Sequence, residues 1–181
     1  MKIRENLMIA LAAVALIWAV YLIDLLLPLD LRMFGIRPRR LDGLWGLVFA
    51  PFLHGGIRHL TANSGALFVL LAISLSLDRK AAILALAIIA LGGGGLVWLF
   101  GGGNTVHIGA SGVIFGLIGF LLFTGIFQKN VKALVVSVAV FLLYGGVLLA
   151  LFRYVPGVSW TGHFFGFLSG VLAARLTSAR P

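Results

Sequence analysis

Apolar residues gather into six blocks along the chain, separated by short charged or glycine-containing breaks. The first runs from about Leu7 to Leu27 and is interrupted late by Asp24; the second, about His59 to Leu77, ends at Asp78, Arg79 and Lys80. The third covers roughly Ala81 to Phe100 and contains Gly92 to Gly95, and the fourth spans about Gly109 to Phe127, stopping at Gln128, Lys129 and Asn130. The fifth runs from about Val131 to Phe152 and the sixth from about Trp160 to Leu176. A spanning helix takes ~20 residues, so the pattern predicts an all-α membrane protein with helices at about 7–27, 59–77, 81–100, 109–127, 131–152 and 160–176. Lys2 and Arg4 ahead of the first block have the look of a signal peptide. The apolar run is too long for that and no small-residue cleavage site follows, which favours a retained helix.

The stretch between blocks one and two, 28–57, differs in kind. Arg32, Arg37, Arg39 and Arg40 precede an apolar piece, Leu44 to Leu53, that is broken by Pro51. That piece is too short to span and too apolar for water, which predicts a long interfacial loop. With no internal repeat or low-complexity linker, residues 1–181 read as a single domain.

Composition narrows the chemistry. Of 181 residues, 61% are hydrophobic and 10% charged, against about 25% charged in a soluble domain. A mean hydropathy of +1.14 leaves too little polar surface to cover a soluble globule. The net charge of +9 makes no basic face for nucleic acid, because the basic residues sit between apolar blocks. They read as topology signals and contacts to anionic lipid. With the N-terminus inside, the inner short loops and tails hold Lys2, Arg4, Arg79, Lys80, Lys129, Lys132, Arg175 and Arg180. The outer ones hold only Arg153 once the long loop is discounted on the ground that its arginines anchor to headgroups. Both termini are therefore expected on the cytoplasmic side of the cell membrane. The absence of cysteine excludes disulfides and thiolate chemistry.

Strongly polar side chains at membrane depth are costly and mark functional sites. His59 and Asn63 open block two, Ser111 opens block four and His163 opens block six. Even-numbered helices in a six-span bundle start from one face, so all four residues are expected at similar depth. Ser111 lies in Gly109-Ala110-Ser111-Gly112, where the first N–H groups of a helix lack partners and the dipole suits a developing oxyanion. A serine nucleophile needs a base, and His163 is the one histidine inside the later helices. The alternative is that Ser111 and its glycines are small-residue packing. His59 and Asn63 share a helix face and can both donate hydrogen bonds, or they cap the helix and tie down the loop. His54 and His107 fall in loops and read as interfacial or structural. No carboxylate accompanies the histidines, so no metal site is expected. In block six Gly166 and Gly170 share one face, as do Gly112, Gly116 and Gly119 in block four. Packing along those stripes would bring Ser111 and His163 within reach, with Phe115 placed to stack on the imidazole or to serve as plain core. Gly92 to Gly95 read as close packing.

These residues resemble the rhomboid family of intramembrane serine proteases. The matching pieces are Gly35-Ile36-Arg37-Pro38-Arg39, then His54-Gly55 with His59-Leu60-x-x-Asn63. Gly109-Ala110-Ser111-Gly112 and Gly162-His163-x-x-Gly166-x-x-x-Gly170 follow in the family's order. The resemblance implies a six-transmembrane-helix rhomboid-like bundle with a Ser–His dyad in a pocket below the outer surface. Ser111 would be the nucleophile and His163 the base. His59 and Asn63, with Ala110 and Ser111 at the helix entrance, would hold the oxyanion, and Phe115, Gly109, Gly112, Gly166 and Gly170 would support them. The implied partners are membrane-protein substrates with transmembrane segments, within the lipid bilayer, and no cofactor is implied. A second reading is a non-catalytic rhomboid-like membrane-protein binding factor, which would usually lack the serine or the histidine. A channel or transporter predicts carboxylates or broken helices at mid-membrane, and the only acid in blocks two to six is Asp78 at a helix end.

Overall fold

The structure is a computed structural model that describes residues 2–27, 30–153 and 157–178. Pro28, at the start of the long loop, and Arg180, among the inner charges, lie outside the described residues. Six long helices follow one another: α1 (Lys2–Leu26), α2 (Ile57–Leu77), α3 (Arg79–Phe100), α4 (Ser111–Gln128), α5 (Val131–Phe152) and α6 (Trp160–Ser178). The first five are long and apolar enough to cross a membrane, and α6, with 19 residues, completes an all-helical membrane bundle. Among the described residues the one β-type contact is an isolated bridge between Ile36 and His107.

Helix boundaries follow from capping. α1 begins at Lys2 rather than near Leu7 because Lys, Arg and Glu are good helix formers, and Glu5 lies in its first turn where the dipole favours an acid. Asp78 accepts from Ala81 N at 2.9 Å and starts α3; Asn130 accepts from Ala133 N at 2.8 Å and starts α5. α4 starts at Ser111 rather than Gly109, since Gly109 has φ +108° and lies outside the helical region. α3 passes through a π-helical turn at Ile88–Gly93 without breaking, and α5 tightens to a 3₁₀ helix over Gly145–Phe152.

α4 is the central element. It is hydrophobic on every side, as befits a helix enclosed by others, and Leu117, Ile118, Phe120 and Leu121 are fully buried. Lipid tails are as apolar as leucine, so helices here associate through close packing rather than hydrophobic exclusion. The α4–α6 seam shows it. The buried residues of α6 are His163, Gly166, Ser169, Gly170, Ala173 and Ala174, all small apart from the histidine. A Cβ built on Gly166 would collide with the Gly112 carbonyl oxygen, and one on Gly170 with that of Gly116. Gly93 packs on the same helix: a Cβ there would sit 3.3 Å from the Phe165 carbonyl oxygen and from Ser169 Oγ. Gly92 and Gly95 are looser, with nothing closer than 3.7 Å at Gly92 and open space at Gly95.

The connection before α2 winds through short turns at Leu31–Phe34, Leu41–Trp45, Gly46–Phe49 and Ala50–Phe52. Ile36 and Ala50 are buried with Val97, while Trp45, Val48 and Phe49 stay exposed. The arginines of this loop have protein partners. Arg32 pairs with Asp30 at 2.8 Å, and Arg37 and Arg40 pair with Asp42 at 3.1 and 3.0 Å. Arg39 donates to the carbonyl oxygens of Leu99 and Gly101 at 3.0 and 2.8 Å, a cation at the negative end of α3. Trp98 Nε1 donates to Arg40 O at 2.8 Å, fastening loop to helix from the other side.

At one end of the bundle Asn6 donates to Leu75 O, Arg79 pairs with Glu5, Lys132 donates to Ser76 O and Arg175 stands over the Phe127 ring. The starts of α2, α4 and α6 therefore lie at the opposite end, where the polar residues of interest are.

Candidate active site

Three helix starts and one loop converge around Ser111. The turn before α4 is anchored by Gly109 N donating to Ala50 O at 2.8 Å and by paired backbone bonds between His107 and Ile36 at 2.9 and 3.0 Å. Gly109 has to be glycine twice over. Its φ of +108° disfavours any side chain, and a Cβ would lie 2.5 Å from His59 Cε1 and 2.6 Å from His59 Nε2. That contact packs the His59 imidazole against the backbone immediately before Ala110 and Ser111. Asn63, one turn further along α2, is buried, and its Nδ2 is the next nearest atom to the same position at 3.6 Å.

On the other side, α6 brings His163 to α4. The imidazole stacks on Phe115 with ring centroids 4.1 Å apart and planes 12° from parallel, a geometry that fixes the ring without a charged partner. Gly112 meets the Gly162 carbonyl oxygen, where a Cβ would be 3.4 Å away. His163 is 7% exposed, and its Nδ1 is buried without a hydrogen-bond partner. Among the described residues no hydrogen bond joins Ser111 to His163. Such bonds are often long before substrate arrives.

Ser111 borders a cavity of about 50 Å³ whose walls include Gly109, Gly112, Gly166, His107 and Ser159, with Ile89, Ala90 and Gly93 from the π turn of α3. A water needs roughly 10–15 Å³ of such space, so the cavity has room for several. His107 and Ser159 are joined in its wall: His107 Nδ1 lies 2.7 Å from Ser159 Oγ, which also accepts from Gly162 N at 3.1 Å. Thr105 Oγ1 lies 2.9 Å from the other His107 nitrogen. Burial holds the His107 imidazole below its ordinary range.

The arrangement includes a residue that helical periodicity had no means to find. His54 sits in the turn between Leu53 and Gly56, yet it is 3% exposed and its Nε2 lies 3.0 Å from Asn63 Nδ2. Its ring meets that of His59 edge-on, centroids 5.0 Å apart. The Ala110 N–H is directed at the same Nε2 at 3.5 Å. His-Gly ahead of a helix start was the only signal in the sequence.

The five acids are all occupied away from His163. Asp24 accepts from Leu31 N, Asp30 pairs with Arg32, Asp42 with Arg37 and Arg40, Asp78 caps α3 and Glu5 pairs with Arg79.

A family model described as Rhomboid domain matches residues 41–180. An uncharacterized protein of Mycobacterium tuberculosis is 44% identical over 174 residues, covering 92% of this chain and 72% of the relative. RHOMBOID-like protein 5 of Arabidopsis thaliana is 32% identical over 164 residues, 83% of this chain and 50% of that protein. A Bacillus subtilis protein provisionally named rhomboid protease YdcA is 30% identical over 138 residues, 73% of this chain and 66% of its own length.

Proposed function

The chain belongs to the rhomboid family, and on that premise we propose that it is an intramembrane serine endopeptidase cleaving transmembrane or membrane-proximal segments of other membrane proteins. The observation that carries this reading is the seam that sets the Phe115-stacked His163 beside the α4 start, where Ser111 lines a cavity with room for several waters. His163 Nδ1 is enclosed, which leaves Nε2 as the nitrogen that takes the Ser111 proton. Ser111 Oγ then bonds to the scissile carbonyl carbon, and the carbonyl oxygen takes the negative charge. Side-chain donors of His59 and Asn63 and the unpartnered N–H of the first α4 turn hold that charge. Collapse breaks the C–N bond as the imidazolium protonates the leaving amine. Water, activated by the same imidazole, releases the acyl group and restores Ser111.

The binding-factor reading draws support from the absence, among the described residues, of a Ser111–His163 hydrogen bond. One experiment separates the two: soluble fragments released from membrane proteins in cells making either the parent or Ser111→Ala. A protease releases fragments with the parent only, whereas a binder gives the same set with both.

Three further outcomes follow from the site. Asn63→Ala should lower kcat by about 10²-fold, the usual cost of one oxyanion donor, with KM little changed; a parental rate would make Asn63 a packing element. A dyad needs no acid, so Asn at positions 24, 30, 42 and 78 should leave a folded enzyme at roughly the parent rate. An acid variant that folds normally but matches the loss in His163→Ala would point to a triad. The clustered basic residues at the far end favour cytoplasmic termini and an outward site. A cysteine placed at Asn104 should then react with an impermeant reagent in intact cells, and one at Lys129 should not; the reverse pattern would invert the protein.

A further inference from the structure

His54 takes no part in the chemistry above, yet three contacts assign its protons consistently. Its Nδ1 lies 3.3 Å from the Phe52 carbonyl oxygen, which can only accept, so Nδ1 carries the hydrogen. Nε2 is then bare. Both groups aimed at it are donors: Asn63 Nδ2 at 3.0 Å and the Ala110 N–H at 3.5 Å. The opposite tautomer would set N–H against N–H at a buried site and leave Asn63 without its acceptor.

We propose that His54 is a positioning residue of the oxyanion site, holding the Asn63 amide with its NH₂ edge toward the Gly109–Ser111 turn and restraining the Ala110 N–H beside it. The role rests on the proteolytic reading. An amide can flip, and only one of its two edges donates. One Nδ2 hydrogen is taken by His54, and the other is left for the oxyanion. Nδ2 lies beside Gly109, 3.6 Å from the position of a Cβ there, so the free donor faces the residues leading to Ser111. Burial, with His59 alongside, holds the His54 imidazole down to about 4, and it remains a neutral acceptor at pH 7. The same residue bridges elements that, among the described residues, share no other side-chain hydrogen bond, since Phe52 and His54 belong to the loop, Asn63 to α2 and Ala110 to the α4 entrance.

The experiment measures kcat and KM for a quenched-fluorescent transmembrane substrate in proteoliposomes, using the parent, His54→Ala, His54→Gln, Asn63→Ala and the His54→Ala/Asn63→Ala double variant. Loss of the acceptor should lower kcat about tenfold, the lower end of what loss of a supporting hydrogen-bond partner costs at metal sites, with KM unchanged. In His54→Gln the amide oxygen can still accept from Asn63, and most of kcat should return. The double variant should be no slower than Asn63→Ala, because His54 acts through that residue. Additive losses, or a rise in KM alone, would overturn the role and leave His54 a structural tie. Nitrogen-15 NMR of the histidine side chains in the parent decides the tautomer even if a variant misfolds. The proposal requires a hydrogen on His54 Nδ1 at pH 7, and a hydrogen on Nε2 would overturn it. A parent with Ser111-dependent turnover and a fully active His54→Ala would remove the positioning role alone. A parent without such turnover would remove the protease reading, and this role with it.

Discussion

Replacing His163 with alanine should reduce substrate turnover by about 10³-fold or more in a protein that folds normally. General acid–base catalysis contributes roughly 10²–10⁴-fold where one group both accepts and returns the proton, and His163 is asked to do both. The other histidines are committed elsewhere: both ring nitrogens of His107 face hydroxyls, Nδ1 that of Ser159 and Nε2 that of Thr105. His59 packs against Gly109 on the α2 side and is assigned to the oxyanion, and His54 is committed to Phe52 and Asn63. All five acids have partners elsewhere. The structural cost of the change should be small by comparison, because it removes a stacked ring and leaves Gly162, Gly166 and the rest of the seam in place. Turnover and thermal midpoint measured on the same preparation separate the effects. A His163→Ala protein that cleaves at a tenth of the parent rate would mean another group takes the serine proton.

The second large effect belongs to the seam. Gly170→Val should destabilise the bundle by about 3 kcal/mol, at the upper end of overpacking costs. The new Cβ would strike the Gly116 carbonyl oxygen and approach Gly116 C to 2.7 Å and Phe120 N to 2.9 Å. All three are backbone atoms inside a central helix, which have no rotamer to escape into. The only relief is to move α6 away from α4, and His163 lies on α6 two turns nearer the site. A displacement of the order of 1 Å at reacting groups can cost about 10²-fold, so turnover should fall even at temperatures where the variant stays folded. Gly65→Ala on α2 is the control: nothing lies within 4 Å of its Cβ position, and both midpoint and rate should stay at parent values. Unchanged stability in Gly170→Val would show that the helices do not meet as closely as the structure has them.

The parts of this fold that hydropathy could read are those repeated along one helix. Six apolar blocks give six helices, and glycines spaced four apart on α4 and α6 give the face along which they meet. Alternation of helix direction places the starts of α2, α4 and α6 at one end, which is why His59, Asn63, Ser111 and His163 share a neighbourhood despite wide separation in sequence. The Phe115–His163 stack follows from the same two stripes. What stayed hidden depends on pairs without a period. Arg39 closes the end of α3 from 60 residues away, and no local pattern distinguishes it from an arginine bound to a headgroup. His54 lies in a turn, where neither a 3.6-residue nor a 2-residue repeat says which way a side chain points. Hydropathy stops at charged residues whereas helices made of Lys, Arg and Glu do not, and α1 accordingly extends back to Lys2. The π turn in α3 leaves no signature beyond its glycines.

The most direct measurement of the central claim is covalent labelling by a serine-reactive phosphonate, with the modified residue located by mass spectrometry. The account predicts a single adduct on Ser111 Oγ in the parent, none in Ser111→Ala, and strong loss of labelling in a folded His163→Ala. An adduct on another serine, or Ser111 labelling that is indifferent to His163, would contradict it.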